Sequence, residues 1–310
     1  MNRITAFLKL IRFKNLLIIT LIQIVIKFFL IKAYLDNSAL NNNEFLFYLL
    51  ALITIVAAGY IINDIYDIEI DKINKPETRI IEKELSKDFS FKIYYLLNLI
   101  GISSGFYVAF QVKKLWLGII FVYFVISLWR YSKQFKKSLI IGNLQVAFLT
   151  ALSIINLALY DLIPAGIRVD DGSKIIFLII LFYAVFAFIT TLIREIIKDI
   201  EDIEGDKKVN ANTLAIRFGV QKAKQITISL SILPILGIAY FQYFQFSNSS
   251  TYFTIETIYT LFLQFLLVLL MIKTRYSETK EDFHFSSTLC KIIMLVGILS
   301  IPLFTYLHMN

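Results

Sequence analysis

Two stretches of this chain carry residues whose types and spacing could do chemistry inside an otherwise apolar sequence. The first runs from Asn63 to Arg79 as N-D-I-Y-D-I-E-I-D-K-I-N-K-P-E-T-R, and the second from Arg194 to Asp206 as R-E-I-I-K-D-I-E-D-I-E-G-D. Each closes a long apolar run. Asp64, Asp67 and Asp71 fall at i, i+3 and i+7 in the first, and Asp199, Asp202 and Asp206 repeat that spacing in the second. Residues so spaced share one face of a helix, so each stretch presents an oxygen-rich stripe, with Asn63 beside Asp67. Such a stripe repels itself unless cations neutralise it. No His or Cys stands in either stretch. An oxygen-only donor set points to a hard ion such as Mg2+, which favours carboxylates together with phosphate oxygens. The implied substrate is a diphosphate. One stripe alone is compatible with a solvated, charged helix end, but two matched stripes at membrane depth read as a functional site.

The elements that position these stripes follow from composition. The 310 residues are 58% hydrophobic, with 28 Phe and 17 Tyr, and the mean hydropathy is +0.71. That is an integral membrane protein. Runs long enough to cross the bilayer lie near residues 15–33, 44–62, 91–110, 115–130, 138–159, 174–193, 224–241, 253–272 and 289–307. No alternating barrel pattern recurs, and lipid leaves no water for backbone polar groups. The expected class is therefore all-α, a single transmembrane domain over 1–310 with nine spans. The first run follows Arg3, Lys9, Arg12 and Lys14 with no small-residue cleavage site after it, and reads as a retained helix. Cys290 is expected at the start of the last span, in a packing role.

Lys and Arg concentrate at the N-terminus and in the loops after the second, fourth, sixth and eighth spans, among them Lys72, Lys136, Lys207 and Lys273. The positive-inside rule makes that side cytoplasmic, which places both acidic stripes on the cytoplasmic face of the plasma membrane. The net charge of +8 is thereby explained by topology and requires no nucleic-acid partner. It also suits anionic lipid and phosphate-bearing substrates.

Between the stripes lies W-R-Y-S-K-Q-F-K-K, residues 129–137, followed by Gly142 and Asn143. Tyr131, Lys133 and Lys136 could hold diphosphate oxygens that the metals leave free, or could form a topological anchor loop. Arg79 invites the same two readings, and Pro76 ends the first motif's helix. The recurrence of the acidic motif four spans later suggests two similar four-helix halves, plus a ninth helix, around a shared central cavity. Pseudo-symmetry of this kind also occurs in transporters, which leaves a cation-coupled transporter as an alternative of another class.

The pattern N-D-x-x-D-x-x-x-D after the second span, Y-S-x-x-x-K-K with G-N following, and D-x-x-D-x-x-x-D after the sixth resembles the UbiA superfamily of intramembrane prenyltransferases. Within it, D-I-E-I-D-K-I-N-K-P and the second motif are most similar to the geranylgeranylglycerol-phosphate geranylgeranyltransferase branch. The resemblance implies that Asn63, Asp67, Asp202 and Asp206 ligate Mg2+. Asp64, Asp71 and Asp199 would be further ligands or would support them, while Arg12, Asn15, Arg79, Tyr131, Lys133, Lys136 and Lys198 would bind substrate. It implies a prenyl diphosphate donor and a lipophilic acceptor, either a hydroxyl of a prenylglycerol phosphate lipid or, alternatively, an aromatic acid of the hydroxybenzoate or naphthoate type. Three positions depart from the family's habit: Phe13 where Pro is usual, no Arg-Pro pair within 77–81, and Asn210 where Gly is frequent.

Overall fold

The computed structural model describes residues 3–35, 38–74, 76–77, 79–165, 171–248 and 254–309. Lys75 and Thr78 of the first motif's tail lie outside them. A short amphipathic helix α1 (Arg3–Leu10) leads into α2 (Phe13–Tyr34), followed by α3 (Asn42–Tyr66), α4 (Ile68–Asn74), α5 (Lys87–Gln111), α6 (Gly118–Lys133) and α7 (Ile141–Leu162). The second half contains α8 (Asp171–Glu201), α9 (Ile203–Lys208), α10 (Leu214–Phe218), α11 (Val220–Asn248), α12 (Ile255–Tyr276) and α13 (Lys280–Met309). Among the described residues, nine helices are long and apolar enough to cross a membrane. They are α2, α3, α5, α6 with its leading turn, α7, α8, α11, α12 and α13, as the sequence leads one to expect.

Apolar side chains fall into two populations. Leu99, Phe110, Leu236, Phe265 and Tyr240 point outward and are exposed, the inverse of a soluble surface and the pattern of a lipid-facing one. The inward-facing population makes the core. Tyr48 of α3, Phe121 of α6 and Tyr160 of α7 are buried and meet at centroid distances of 5.4 to 5.8 Å, while Ile193 and Ile196 of α8, Leu267 of α12 and Ile293 of α13 form a second core. A third joins Ala6 and Leu10 of α1 to Ala58, Ile61 and Ile65 of α3. Helix α3 starts from a capping box in which Asn41 accepts from the amides of Asn43 and Glu44 and Glu44 accepts from the amide of Asn41, satisfying orphan donors at its N-terminus.

At the end of the bundle opposite the acidic stripes, Lys27 and Asp161 form an ion pair of 2.5 Å with both side chains fully buried. Lys27 lies in a π-helical turn of α2, Ile26–Ile31. Its ammonium also donates to Ser38 Oγ and to the carbonyl of Leu40, and the other Asp161 oxygen accepts from the Leu40 amide. Each member of the pair is thus fully hydrogen-bonded, the condition under which a buried ion pair is tolerated.

Two boundaries differ most from expectation. The last span begins at Lys280, so Cys290 sits about three turns inside α13, buried and free. Its leading turns are amphipathic, with Phe283, Ser286 and Ser287 buried and the charged residues 280–282 outward, which hydropathy alone places outside the span. The sixth span continues to Glu201, carrying Asp199 on the membrane helix itself.

Candidate active site

Both acidic motifs are built the same way. Helix α3 ends at Tyr66, Asp67 adopts φ −92° and ψ 3°, and α4 restarts at Ile68. Helix α8 ends at Glu201, Asp202 adopts φ −96° and ψ 8°, and α9 restarts at Ile203. The middle aspartate of each stripe therefore occupies a break, where a straight helix was expected. The i to i−4 bonds continue across it, from Asp67 N to Asn63 O and from Asp71 N to Asp67 O, and likewise from Asp202 N to Lys198 O and from Asp206 N to Asp202 O. The break turns α4 and α9 toward each other, and the two short helices pack together. Here the internal repeat is visible as geometry.

Asn63, Asp71, Asp199, Asp202 and Asp206 line one end of a central cavity, with Arg12, Asn15, Tyr131, Lys136 and Lys198. Asp67 stands just behind the wall, 3% exposed. It accepts from Asn63 Nδ2 at 2.8 Å and from the ammonium of Lys136. Asp64 faces Arg12, whose Nη2 is 2.9 Å from Oδ1, and the Arg12 guanidinium lies over the Tyr60 ring at 4.8 Å. Arg12 caps α2 with φ 50° and ψ 53°, a left-handed conformation that a branched or long side chain adopts at a cost and that clusters at functional sites.

The turn Phe135–Lys137 delivers Lys136 into the site because Gly142 has no side chain: a Cβ there would come within 2.4 Å of the Phe135 carbonyl oxygen. Its neighbour Asn143 donates to Asp199 Oδ2 at 2.8 Å. The same turn is tied to the second half, since the Asn212 amide donates to the Lys137 carbonyl at 2.8 Å. The loop between the halves thus touches both acidic motifs.

Burial works against a charge on Lys136, but the carboxylate of Asp67, the Tyr131 hydroxyl and the hydrogen bond to Asp67 outweigh it, and the ammonium is held well above its ordinary pKa. Asp206 moves the other way for a carboxylate. Burial raises its pKa to about 6; Asp202 and Asp67 add to that, while Lys136 and Lys198 oppose it. A buried carboxylate with other carboxylates beside it in a cavity marks a candidate functional site. Among the described residues no three His, Cys, Asp or Glu side chains are placed to hold a metal ion by themselves; the donors that line this end of the cavity are carboxylate and amide oxygens, the type Mg2+ takes together with waters and substrate oxygens. The donor set fits that ion.

Beyond its ionic end the cavity wall is mostly apolar, with Arg194 and Lys291 as charged exceptions. Ile22 and Ile26 of α2, Val56 of α3, Phe124 and Leu128 of α6, Leu149 of α7 and Ile298 of α13 line it, and Tyr60, Tyr183 and Phe186 complete its aromatic complement.

Two expected substrate residues lie elsewhere. Arg79 pairs with Glu82 at 3.2 Å in the loop after α4, and Lys133 lies over the Trp129 ring at 4.8 Å, exposed. Neither lines the cavity. Sequence reasoning left Asn143, Tyr60, Arg194, Glu195 and Lys291 without roles. Arg194 and Glu195 open the second motif, Asn143 follows the Lys-rich loop, and Lys291 is a lone cation well inside an apolar run, itself a signal.

The model of the UbiA prenyltransferase family matches residues 24–289. The chain belongs to the UbiA family. It is an integral, multi-pass, all-α membrane protein of that family. Relatives include the digeranylgeranylglyceryl phosphate synthase of Sulfurisphaera tokodaii, 38% identical over 54% of this chain and 55% of the relative. That of Methanosphaera stadtmanae is 34% identical over 62% and 64%. The chain therefore matches less than two thirds of the length of these curated relatives. Over nearly its full length it is similar to the solved structure of a digeranylgeranylglyceryl phosphate synthase, with TM-score 0.65, 25% identity and coverage of 98% of this chain and 99% of the other. A UbiA homologue from Archaeoglobus fulgidus, solved with GPP and Mg2+, shares the fold at TM-score 0.58 and 15% identity, covering 96% and 99%. One departure from the family's habit has a simple account: Asn210 has φ 53°, the left-handed conformation that Gly takes freely and that Asn tolerates best among the other residues.

Proposed function

We propose that the protein is a Mg2+-dependent prenyltransferase that moves a prenyl group, geranylgeranyl by the names of its curated relatives, from its diphosphate to a hydroxyl of a prenylglycerol phosphate lipid, forming an ether. The single observation that carries this reading is the cavity itself: two matched carboxylate sets and Lys136 at one end, apolar walls beyond. A diphosphate with a hydrocarbon tail has that polarity. The A. fulgidus homologue holds GPP and Mg2+, which supports the same assignment here.

Asn63, Asp67, Asp202 and Asp206 would hold the ions, with Asp71 and Asp199 beside them and Asp64 fixing Arg12. Bound Mg2+ neutralises charge on the departing diphosphate. Lys136, Arg12 and Lys198 add fixed positive charge where the leaving oxygens gather charge, so the allylic C1–O bond breaks more readily. Tyr131, which lines the same end of the cavity as Lys136, would donate to the bridging oxygen. The walls of Phe124, Leu128 and Phe186 keep water from the cationic C1, and aromatic faces stabilise it. The acceptor hydroxyl oxygen then bonds to C1, its proton passes to the diphosphate released by C1–O cleavage, and the protonated diphosphate leaves. The lysine-rich loops at this end of the bundle support a cytoplasmic site in the plasma membrane.

The test is a product assay in detergent with Mg2+, geranylgeranyl diphosphate and two competing acceptors, geranylgeranylglycerol phosphate and a hydroxylated aromatic acid, read by mass spectrometry. An ether-linked lipid whose formation stops with EDTA is the expected product. A ring-prenylated aromatic acid would move the protein to aromatic acceptors, and ion flux in liposomes without either substrate would replace the enzymatic reading.

A further inference from the structure

The cavity contains a second group of cations, deeper than the aspartates of the two stripes. Lys291 on α13 lines it, half-buried, and makes no hydrogen bond or ion pair among the described residues. Arg194 on α8 lines it too, about 7.5 Å further along that helix from Asp199 at 1.5 Å per residue. One guanidinium nitrogen of Arg194 binds Glu195 Oε1 at 2.7 Å, while its Nε is buried without a partner. Glu195 also answers to Lys198 at 3.9 Å. One carboxylate thus serves two cations, and Lys291 makes no ion pair of its own, Glu195 and Glu201 acting on it only at a distance. The Lys291 and Arg194 charges act on each other across the cavity, an arrangement that is costly at membrane depth unless an anion completes it.

From Lys291 an apolar stripe continues along the same face of α13. Met294, Ile298 and Ile301 follow at i+3, i+7 and i+10, and all line the cavity. A cation at the head of an apolar stripe matches a lipid with an anionic head and a hydrocarbon tail.

We propose that Lys291 and Arg194 form a subsite for the phosphate of the acceptor lipid, separate from the diphosphate site, with the acceptor's chain lying along Met294, Ile298 and Ile301. The proposal rests on the prenyltransferase reading and assigns the residues that select a phosphate-bearing acceptor. The phosphate then fixes the neighbouring hydroxyl between the two cation groups, toward C1 of the donor. Charge-assisted bonds to phosphate from a guanidinium and an ammonium suit this work.

The test compares wild type with Lys291→Gln and Lys291→Arg. Lys291→Gln is expected to raise KM for geranylgeranylglycerol phosphate about tenfold or more, the scale of one lost charged hydrogen bond, and to leave KM for geranylgeranyl diphosphate within about twofold. Lys291→Arg should restore most of the loss. Without Mg2+ or donor, the phosphate lipid should raise the thermal midpoint of wild type more than that of Lys291→Gln, and the neutral lipid alcohol should raise neither. Wild type that makes the ether while Lys291→Gln keeps its acceptor KM overturns the subsite and leaves the function standing. Wild type that makes no ether overturns the function. An aromatic acid whose KM rises equally in Lys291→Gln overturns the phosphate assignment in favour of a carboxylate.

Discussion

The ammonium of Lys136 rests on the carboxylate of Asp67, joining the loop between the two halves to the break in the first acidic motif. A single cation thereby stands against a group that the family resemblance assigns to Mg2+. Its exchange of partners, from Asp67 to a diphosphate oxygen, would couple donor binding to the exposure of a metal ligand.

From this contact, Lys136→Ala should act chiefly on donor binding. The expected result is a KM for prenyl diphosphate raised about tenfold or more, with a smaller change in kcat, read from initial rates at saturating acceptor. An unchanged KM would return the loop to a purely topological role.

Removing Asp67 or Asp202 takes out the aspartate that sits in the break of each motif. Asp67→Ala and Asp202→Ala should each lower turnover by at least about a hundredfold, the scale for losing groups that hold or orient a metal, while the protein still elutes as a folded species. Activity within a factor of two of wild type in either would remove the metal assignment.

Acidity should compete with the metal. Asp206, raised to about 6 by burial and its acidic neighbours, must be deprotonated to bind a cation. The apparent Mg2+ affinity should therefore be flat above about pH 7 and fall by up to about tenfold per pH unit below 6. Without metal the sign reverses for stability. A carboxylate whose folded pKa is raised stabilises the fold when protonated and loses that contribution as pH rises through 6. The thermal midpoint in EDTA should drop between about pH 4 and 6 and level off above 7, and Mg2+ should oppose the drop. Asp206→Asn should weaken both pH dependences.

Gly142→Ala places a methyl group within 2.4 Å of the Phe135 carbonyl oxygen. Backbone must move, at a cost of about 1–3 kcal/mol typical of overpacking, and the movement carries Lys136 away from Asp67. A lowered thermal midpoint together with a raised donor KM is the expected pair; loss of stability with donor KM intact would separate the glycine from the site.

The nine spans and both carboxylate stripes could be read directly from the chain, because apolar runs of bilayer length and carboxylates repeated at i, i+3 and i+7 are local patterns. The breaks at Asp67 and Asp202 could not: their residues have ordinary helical spacing, and α4 meets α9 only in the folded chain. Arg79 and Lys133 looked like Arg12 and Lys136 by charge alone, yet Glu82 and Trp129 hold them elsewhere. Lys291 was visible as a lone charge, but its neighbour across the cavity is almost a hundred positions away in the chain, a separation that only the fold closes.

The pair of Lys27 and Asp161 also constrains how the chain enters the membrane. Lys27 belongs to the first span and Asp161 to the fifth, so during synthesis the lysine meets the bilayer long before its partner exists. A lone lysine in a span costs roughly 2.5–3.5 kcal/mol on insertion scales, and the remaining run of Leu and Ile in α2 must bear that cost while α3 to α7 are made. Insertion of the first span is then provisional, and the arrival of α7 secures it. Truncated chains ending before residue 161 should show the first span slipping or reorienting in glycosylation mapping, whereas chains extending past it should not; Asp161→Leu in the full chain should reproduce the truncated behaviour.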